Sequence, residues 1–160
     1  MFISDYGFVV RADSNIDINH LSDLSPYVIG HLAGLSHTPE IMNVIDMKRL
    51  NNQVVDGYSI DGMFKSLLLT PSGFDVMINS KETFFWRAKA LDITSEVKVL
   101  DYTIKQKKYF LTVSKASKNI KDKVAFLDGF DACIIRLKKD GSYKQILNKY
   151  GVLLEKSTNN

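Results

Sequence analysis

Hydrophobic residues in this chain switch between two spacings, and the switches mark its elements. Tyr6 to Ala12 is an apolar run of β type, broken by Asp13-Ser14-Asn15. Asp17 to Leu24 reads as a short helix stopped by Ser25-Pro26, and Tyr27 to Leu32 as a strand. Ile41, Met42, Ile45 and Met47 then predict a helix with that face toward a core, with Thr38 or Ser36 at its N-cap and Pro39 at the tolerated first position. Asn52 to Asp56 is a brief strand. Ser59 caps a helix striped by Met63, Phe64, Leu67 and Leu68, and Thr70-Pro71-Ser72-Gly73 ends it. Phe74 to Asn79 is the next strand, and Ser80 caps a helix through Leu91 that carries Phe84, Phe85 and Ala88. Glu96 to Leu100 and Tyr109 to Ser114 read as two further strands. Ile120, Val124, Leu127, Phe130, Ile134 and Leu137 mark a long helix closed by Asp140-Gly141, and Tyr143 to Tyr150 a last helix stopped by Gly151. Residues 155–160 have the composition of a disordered tail. Strand-helix alternation of this kind predicts an α/β fold whose sheet is largely parallel and flanked by helices, followed by a C-terminal helical segment.

Composition narrows the classes. With 160 residues, 45% of them hydrophobic, the chain is long enough for one substantial core, and 24% charged residues are ordinary for a globular protein. No apolar run approaches the ~20 residues that span a bilayer. The opening Met1 to Gly7 lacks the basic-then-apolar order of a secretory signal. Cys133 is the single cysteine, so no internal disulfide forms. The net charge is +3, and two thirds of the 21 basic residues lie from Lys98 onward. These basic residues alternate with apolar residues at helical spacing, so a solvated helix face is preferred to a nucleic-acid surface, and no nucleic acid is expected as a partner.

The chemistry concentrates in Ile29 to Ile41, a strand, a Gly-containing turn and a helix start. Gly34, Ser36, His37 and Thr38 lie where the first backbone N–H groups of the helix lack partners and its dipole is positive, a place that holds a small anion without a metal. The alternative is that Ser36 or Thr38 only caps the helix, and that His37 is a surface residue. Asn79 ends a strand where open α/β sheets place ligand groups, and Ser80 after it reads as a cap. Trp86 could stack on a ligand, with core packing the preferred reading. His20, His31 and His37 have no zinc-type spacing, and no catalytic residues, metal site or cofactor are expected. Gly-x-Gly-x-x-Gly and P-loop motifs are absent.

Several stretches resemble one family in the right order. Asn19 to Leu24 followed by Tyr27-Val28-Ile29-Gly30 resembles the L-x-D-L-x-x-x-x-V-G entry into the second lobe of type II periplasmic solute-binding proteins, the family 3 extracellular amino-acid receptors of ABC transporters. Gly34-Leu35-Ser36-His37 is similar to their ligand turn, and Phe74 to Asn79 to their x-D-a-x-x-D strand. Lys108 to Lys115 resembles the second hinge strand. Ile135 to Ser142 with Ile146 to Gly151 resembles the C-terminal l-k-x-d-G…I-x-x-k-Y-G.

The resemblance implies a periplasmic, ligand-binding α/β protein that takes a small polar solute such as an amino acid between two lobes and works with a membrane permease. It implies ligand contacts from Gly34, Ser36, His37, Thr38, Asn79 and, in the hinge, Tyr6. It also implies residues 1–105 as the second lobe with the first hinge strand, and 106–154 as the second hinge strand and C-terminal helices of a first lobe whose N-terminal half has no counterpart here. Such a truncated form is expected to bind weakly or not at all alone, or to complete itself as a homodimer through segment exchange. Where amino-acid receptors carry an Asp for the ligand's ammonium, this chain has Asn79, which weakens an amino acid as the ligand. A sensory input module of a signalling receptor is the alternative, and a dehydratase resting on Glu82 a more distant one.

Overall fold

The computed structural model describes residues 2–35 and 37–149. Of these, residues 4–107 belong to one compact unit, and residues 2–3 with 108–149 to a second. The strands are β1 (Phe2–Arg11), β2 (Ile29–Leu32), β3 (Val54–Gly57), β4 (Val76–Ser80), β5 (Val97–Val99) and β6 (Lys105–Tyr109). They form one sheet in the order β3-β2-β4-β1-β5, with β6 also paired to β1. The helices are α1 (Pro39–Leu50), α2 (Ile60–Leu68), α3 (Lys81–Ala90), α4 (Lys123–Lys139) and α5 (Ser142–Lys149). β2 runs parallel to β3 and β4, as the crossover helices require, whereas β1 runs antiparallel between β4 and β5.

Both faces of the sheet are covered, which is why β1 and β4 are apolar on both sides. Phe8 and Val10 of β1 point to one face and meet Ile41 and Ile45 of α1. Val9 points to the other and meets Met63, Phe64 and Leu67 of α2 and Phe84 and Ala88 of α3. The Phe64 and Phe84 rings pack edge to face at 6.1 Å. Two of the expected caps are made by the side chain: Ser59 Oγ accepts from Gly62 N, and Ser80 Oγ from Thr83 N.

Several expectations are corrected. Met47 is 65% exposed, and Lys48 turns inward instead. From Ile41 and Ile45 the next inward position is three or four residues on, and Met47 lies about 200° around the helix from Ile45. Lys48 Nζ donates to the carbonyls of Ser25 (2.9 Å) and Tyr27 (2.7 Å) and to Gln53 Oε1 (3.3 Å). Asp17 to Leu24 is not a helix; only Leu21–Leu24 makes one 3-10 turn. Asp23 Oδ2 accepts from the backbone of Asn19 and His20 and stops the turn there, leaving Ile18 to enter the core from extended chain. The strand expected at Tyr109 to Ser114 lies earlier, at Lys105–Tyr109, because Ile104 N donates to Tyr6 O and sets the following residues beside β1. Its lysines suit an exposed edge. Trp86 is 45% exposed, with the Arg87 guanidinium 4.8 Å from its ring, because Phe84 and Ala88 already occupy the inward face of α3.

In the second unit, α4 is capped by Asp122, whose Oδ1 accepts from Ala125 N, and Gly141 turns the chain into α5 at φ 82°. No residue of α4 is buried, and Phe126 and Phe130, one turn apart on the same face, are exposed. The tail expected at 155–160 lies outside the described residues. Among the described residues no helix is long and apolar enough to cross a membrane.

Candidate functional site

The site is built where β2 hands over to α1. Leu32 ends β2, Ala33 and Gly34 turn the chain with Gly34 at φ 79°, and α1 begins at Pro39 with Thr38 as N-cap. A positive φ is readily adopted by glycine, and an added Cβ at Gly34 would meet nothing within 4 Å, so conformation rather than crowding selects it. Thr38 O accepts from Met42 N, but the Thr38 hydroxyl does not cap the helix. It bonds the Glu40 carboxylate, holding that acid below its ordinary range. Pro39 has no N–H, and the Glu40 N–H turns to its own side-chain carboxylate.

α1 lies over the face of the sheet that carries Tyr6, and β6 runs along the edge of β1. Together they enclose a cavity of about 210 Å³ lined by Tyr6, His37, Thr38, Pro39, Lys105 and Lys107. Lys105 and Lys107 are two apart on a strand and so share a face, while Gln106 points away and donates to Asp5 Oδ1 at 2.8 Å. Lys107 Nζ lies 6.0 Å from the Tyr6 ring centroid. The His37 ring stands edge-on to Tyr6 at 5.8 Å and to His31 at 5.6 Å.

His37 is the unusual group. Both ring nitrogens are enclosed and have no hydrogen-bond partner among the described residues. Its pKa is pushed down to about 4, chiefly by burial and then by His31 and Lys107, so the ring is neutral at pH 7. His31 behind it is anchored: Nδ1 meets Asp56 Oδ1 at 2.8 Å and Nε2 meets Leu35 O at 3.1 Å. Asp56 in turn accepts from Arg49 at 2.9 and 3.1 Å, and its carboxyl is held low first by the His31 bond.

The structure thus brings Tyr6, His37 and Thr38 to one cavity wall. Gly34 shapes the turn before it and is not part of the lining, and Ser36 lies outside the described residues. Asn79 is buried beside Gly7, and its Oδ1 accepts from Ser80 N at 2.7 Å, so its acceptor is engaged within the backbone. Asp75 does fold-level work, accepting from Val28 N at 2.8 Å and tying β4 to β2. Glu82 accepts from the Ser4 hydroxyl and from Asp5 N, so both its oxygens are engaged. Lys105 and Lys107 were not foreseen; the alternation Lys-Gln-Lys was their only signal, lying just before the segment read as a strand. A larger cavity, about 360 Å³, lies at the opposite end of α1 against Lys48 and Gln53. It faces the negative end of the helix dipole and the N-terminal ends of the parallel strands, not the carboxyl ends where open α/β sheets bind ligands.

Among the described residues no cluster of three or more His, Cys, Asp or Glu side chains is placed to hold a metal ion.

No protein-family model matches the chain, and no curated protein matches its sequence. Solved structures do match. Substrate binding domain 2 of Lactococcus lactis GlnP, in an open conformation, shares 15% identity over 96% of this chain and 60% of its own, with a TM-score of 0.64. ArgBP from T. maritima shares 20% identity over 93% of this chain and 58% of its own, with a TM-score of 0.62. A histidine kinase sensor domain with similarity to periplasmic binding proteins shares 16% identity over 92% of this chain and 59% of its own, with a TM-score of 0.60. The chain therefore has the periplasmic-binding-protein fold and spans about three fifths of the length of these solved neighbours.

Proposed function

We propose that this chain is part of a solute receptor that binds a small polar molecule in the cavity at the start of α1 and works with the permease of an ABC-type transporter at the membrane. The observation that carries the reading is the convergence of Tyr6, His37, Thr38 and two lysines on one cavity at the open start of a helix, in a fold whose solved neighbours include arginine- and glutamate-binding proteins. In this reading residues 1–105 are the second lobe with the first hinge strand, and residues 106–154 belong to a first lobe. The exposed apolar residues of α4 fit a surface made to be covered, and exchange of this segment between two copies is the assembly the reading expects when the chain is alone.

Titration of the 15N-labelled chain with mixtures of amino acids and small carboxylates tests the binding step. Saturable shifts confined to Tyr6, His37, Thr38 and Glu40 are expected at millimolar solute. Absence of any such shift across the panel overturns the reading.

A second reading, the input domain of a signalling receptor, is favoured by the sensor-domain neighbour. It shares the same binding step and differs in what closure drives. An enzymatic role has less support, because Glu82 already serves as an acceptor for Ser4 and Asp5.

A further inference from the structure

We infer that His31 is a positioning residue for the turn between β2 and α1, clamping it by donating from both ring nitrogens at once and releasing it when the ring loses a proton. The ring is buried, with Nδ1 2.8 Å from Asp56 Oδ1 and Nε2 3.1 Å from Leu35 O. Both partners are acceptors. The Leu35 carbonyl has no proton to give, and the Asp56 carboxyl is held low, so that it stays ionised, by its bond to His31 and by Arg49. A neutral imidazole carries one N–H, so it makes one of these bonds and sets a lone pair against the oxygen of the other. The carboxylate is the stronger acceptor, so the neutral ring keeps Asp56 and gives up Leu35. The doubly protonated ring makes both bonds.

The groups around the ring fit this assignment. His31 lies on β2 directly opposite Asp56 on β3. Asp56 accepts from Arg49 of α1 at 2.9 and 3.1 Å, and Arg49 also reaches Asp46 at 3.2 Å. On the other side His37 stands 5.6 Å away, next to Tyr6 of β1 and under the influence of Lys107 of β6. The carboxylate thus lies against His31, while both His37 nitrogens are enclosed without a partner among the described residues. Two imidazoles this close titrate as a pair and favour one proton over two. That proton belongs on His31, which has an acceptor for each N–H, and burial together with the His31 charge keeps His37 neutral. Leu35 follows Gly34, whose positive φ of 79° and uncrowded surroundings let the turn move once the clamp opens. The turn is therefore held at acidic pH and released at alkaline pH, across the range in which imidazoles titrate. Where the receptor reading holds, release also withdraws His37 and Thr38 from the cavity wall, but the clamp itself needs no solute.

The test is NMR of the full chain, labelled with 13C and 15N, from about pH 5 to about pH 8, reading the His31 ring nitrogens and the Leu35 carbonyl carbon. No solute is added, so the outcome is independent of the receptor reading. In wild type the two signals are expected to titrate together. Both ring nitrogens are protonated at the acidic end, and the carbonyl moves to its unbonded position as the ring becomes neutral. In Asp56→Asn the side-chain amide can donate to Nδ1, so the neutral ring bonds Leu35 through its Nε2–H at every pH. The Leu35 carbonyl of that variant is expected to stay at the wild-type acidic position throughout. A wild-type Leu35 carbonyl indifferent to pH would overturn the clamp, as would an Asp56→Asn chain whose Leu35 carbonyl titrates like wild type. If the variant fails to fold, the wild-type titration decides alone.

Discussion

Replacing His37 with Gln removes one titrating group from a wall that also carries Tyr6, Lys105 and Lys107, with His31 behind it. The His37 imidazole titrates near 4 in the folded chain because burial, His31 and Lys107 all disfavour its charged form. In the unfolded chain it returns to about 6.5. Between those values the unfolded state binds more protons, so stability contributed by the neutral ring is fully present above about pH 6.5 and is lost as pH falls toward 4. The full span of about 2.5 pH units corresponds to about 3 kcal/mol, of which about 2 kcal/mol is already lost at pH 5. At a urea slope of about 2 kcal/mol per molar, that is a midpoint shift of about 1 M between pH 7 and pH 5. The assay is urea unfolding followed by circular dichroism at both pH values for wild type and His37→Gln. All other groups are common to the two proteins, so the difference between the two pH dependences reports on His37. The variant is expected to lose about 1 M less than wild type. Equal losses in the two proteins would refute the enclosed, neutral ring.

Other predictions follow from the core and its caps. Phe84→Ala removes a fully buried ring packed on Phe64 and is expected to cost about 3–5 kcal/mol, read as a lowered urea midpoint at unchanged slope. Lys48→Met keeps the buried stem but leaves the Ser25 and Tyr27 carbonyls without their donor, with an expected loss of about 1–3 kcal/mol. Ser80→Ala deletes the α3 cap and is expected to cost about 1 kcal/mol by the same measurement. Trp86→Ala, at an exposed position, should change stability by less than about 0.5 kcal/mol, and a larger loss would place that ring in a packed environment.

Much of the fold was legible in the sequence because its signals are local. Ser59 and Ser80 announce their helices through cap chemistry within three residues, and Met63, Phe64 and Leu67 recur at the helical period that buries them. Gly34 and the Thr38-Pro39 pair likewise locate the turn and the start of α1 from residue types alone. Tertiary structure decided what depends on neighbours far along the chain. Whether Tyr109 to Ser114 or Lys105–Tyr109 forms the edge strand is set by the register that Tyr6 O imposes on Ile104, about a hundred residues away. The turn toward the interior of Lys48, with Met47 left outside, depends on three oxygen acceptors that only the folded chain gathers. The site divides the same way. His37 and Thr38 were readable as a helix start, but Lys105 and Lys107 join them only because β6 pairs with β1 under α1, and periodicity carries no information about which distant strand completes a cavity.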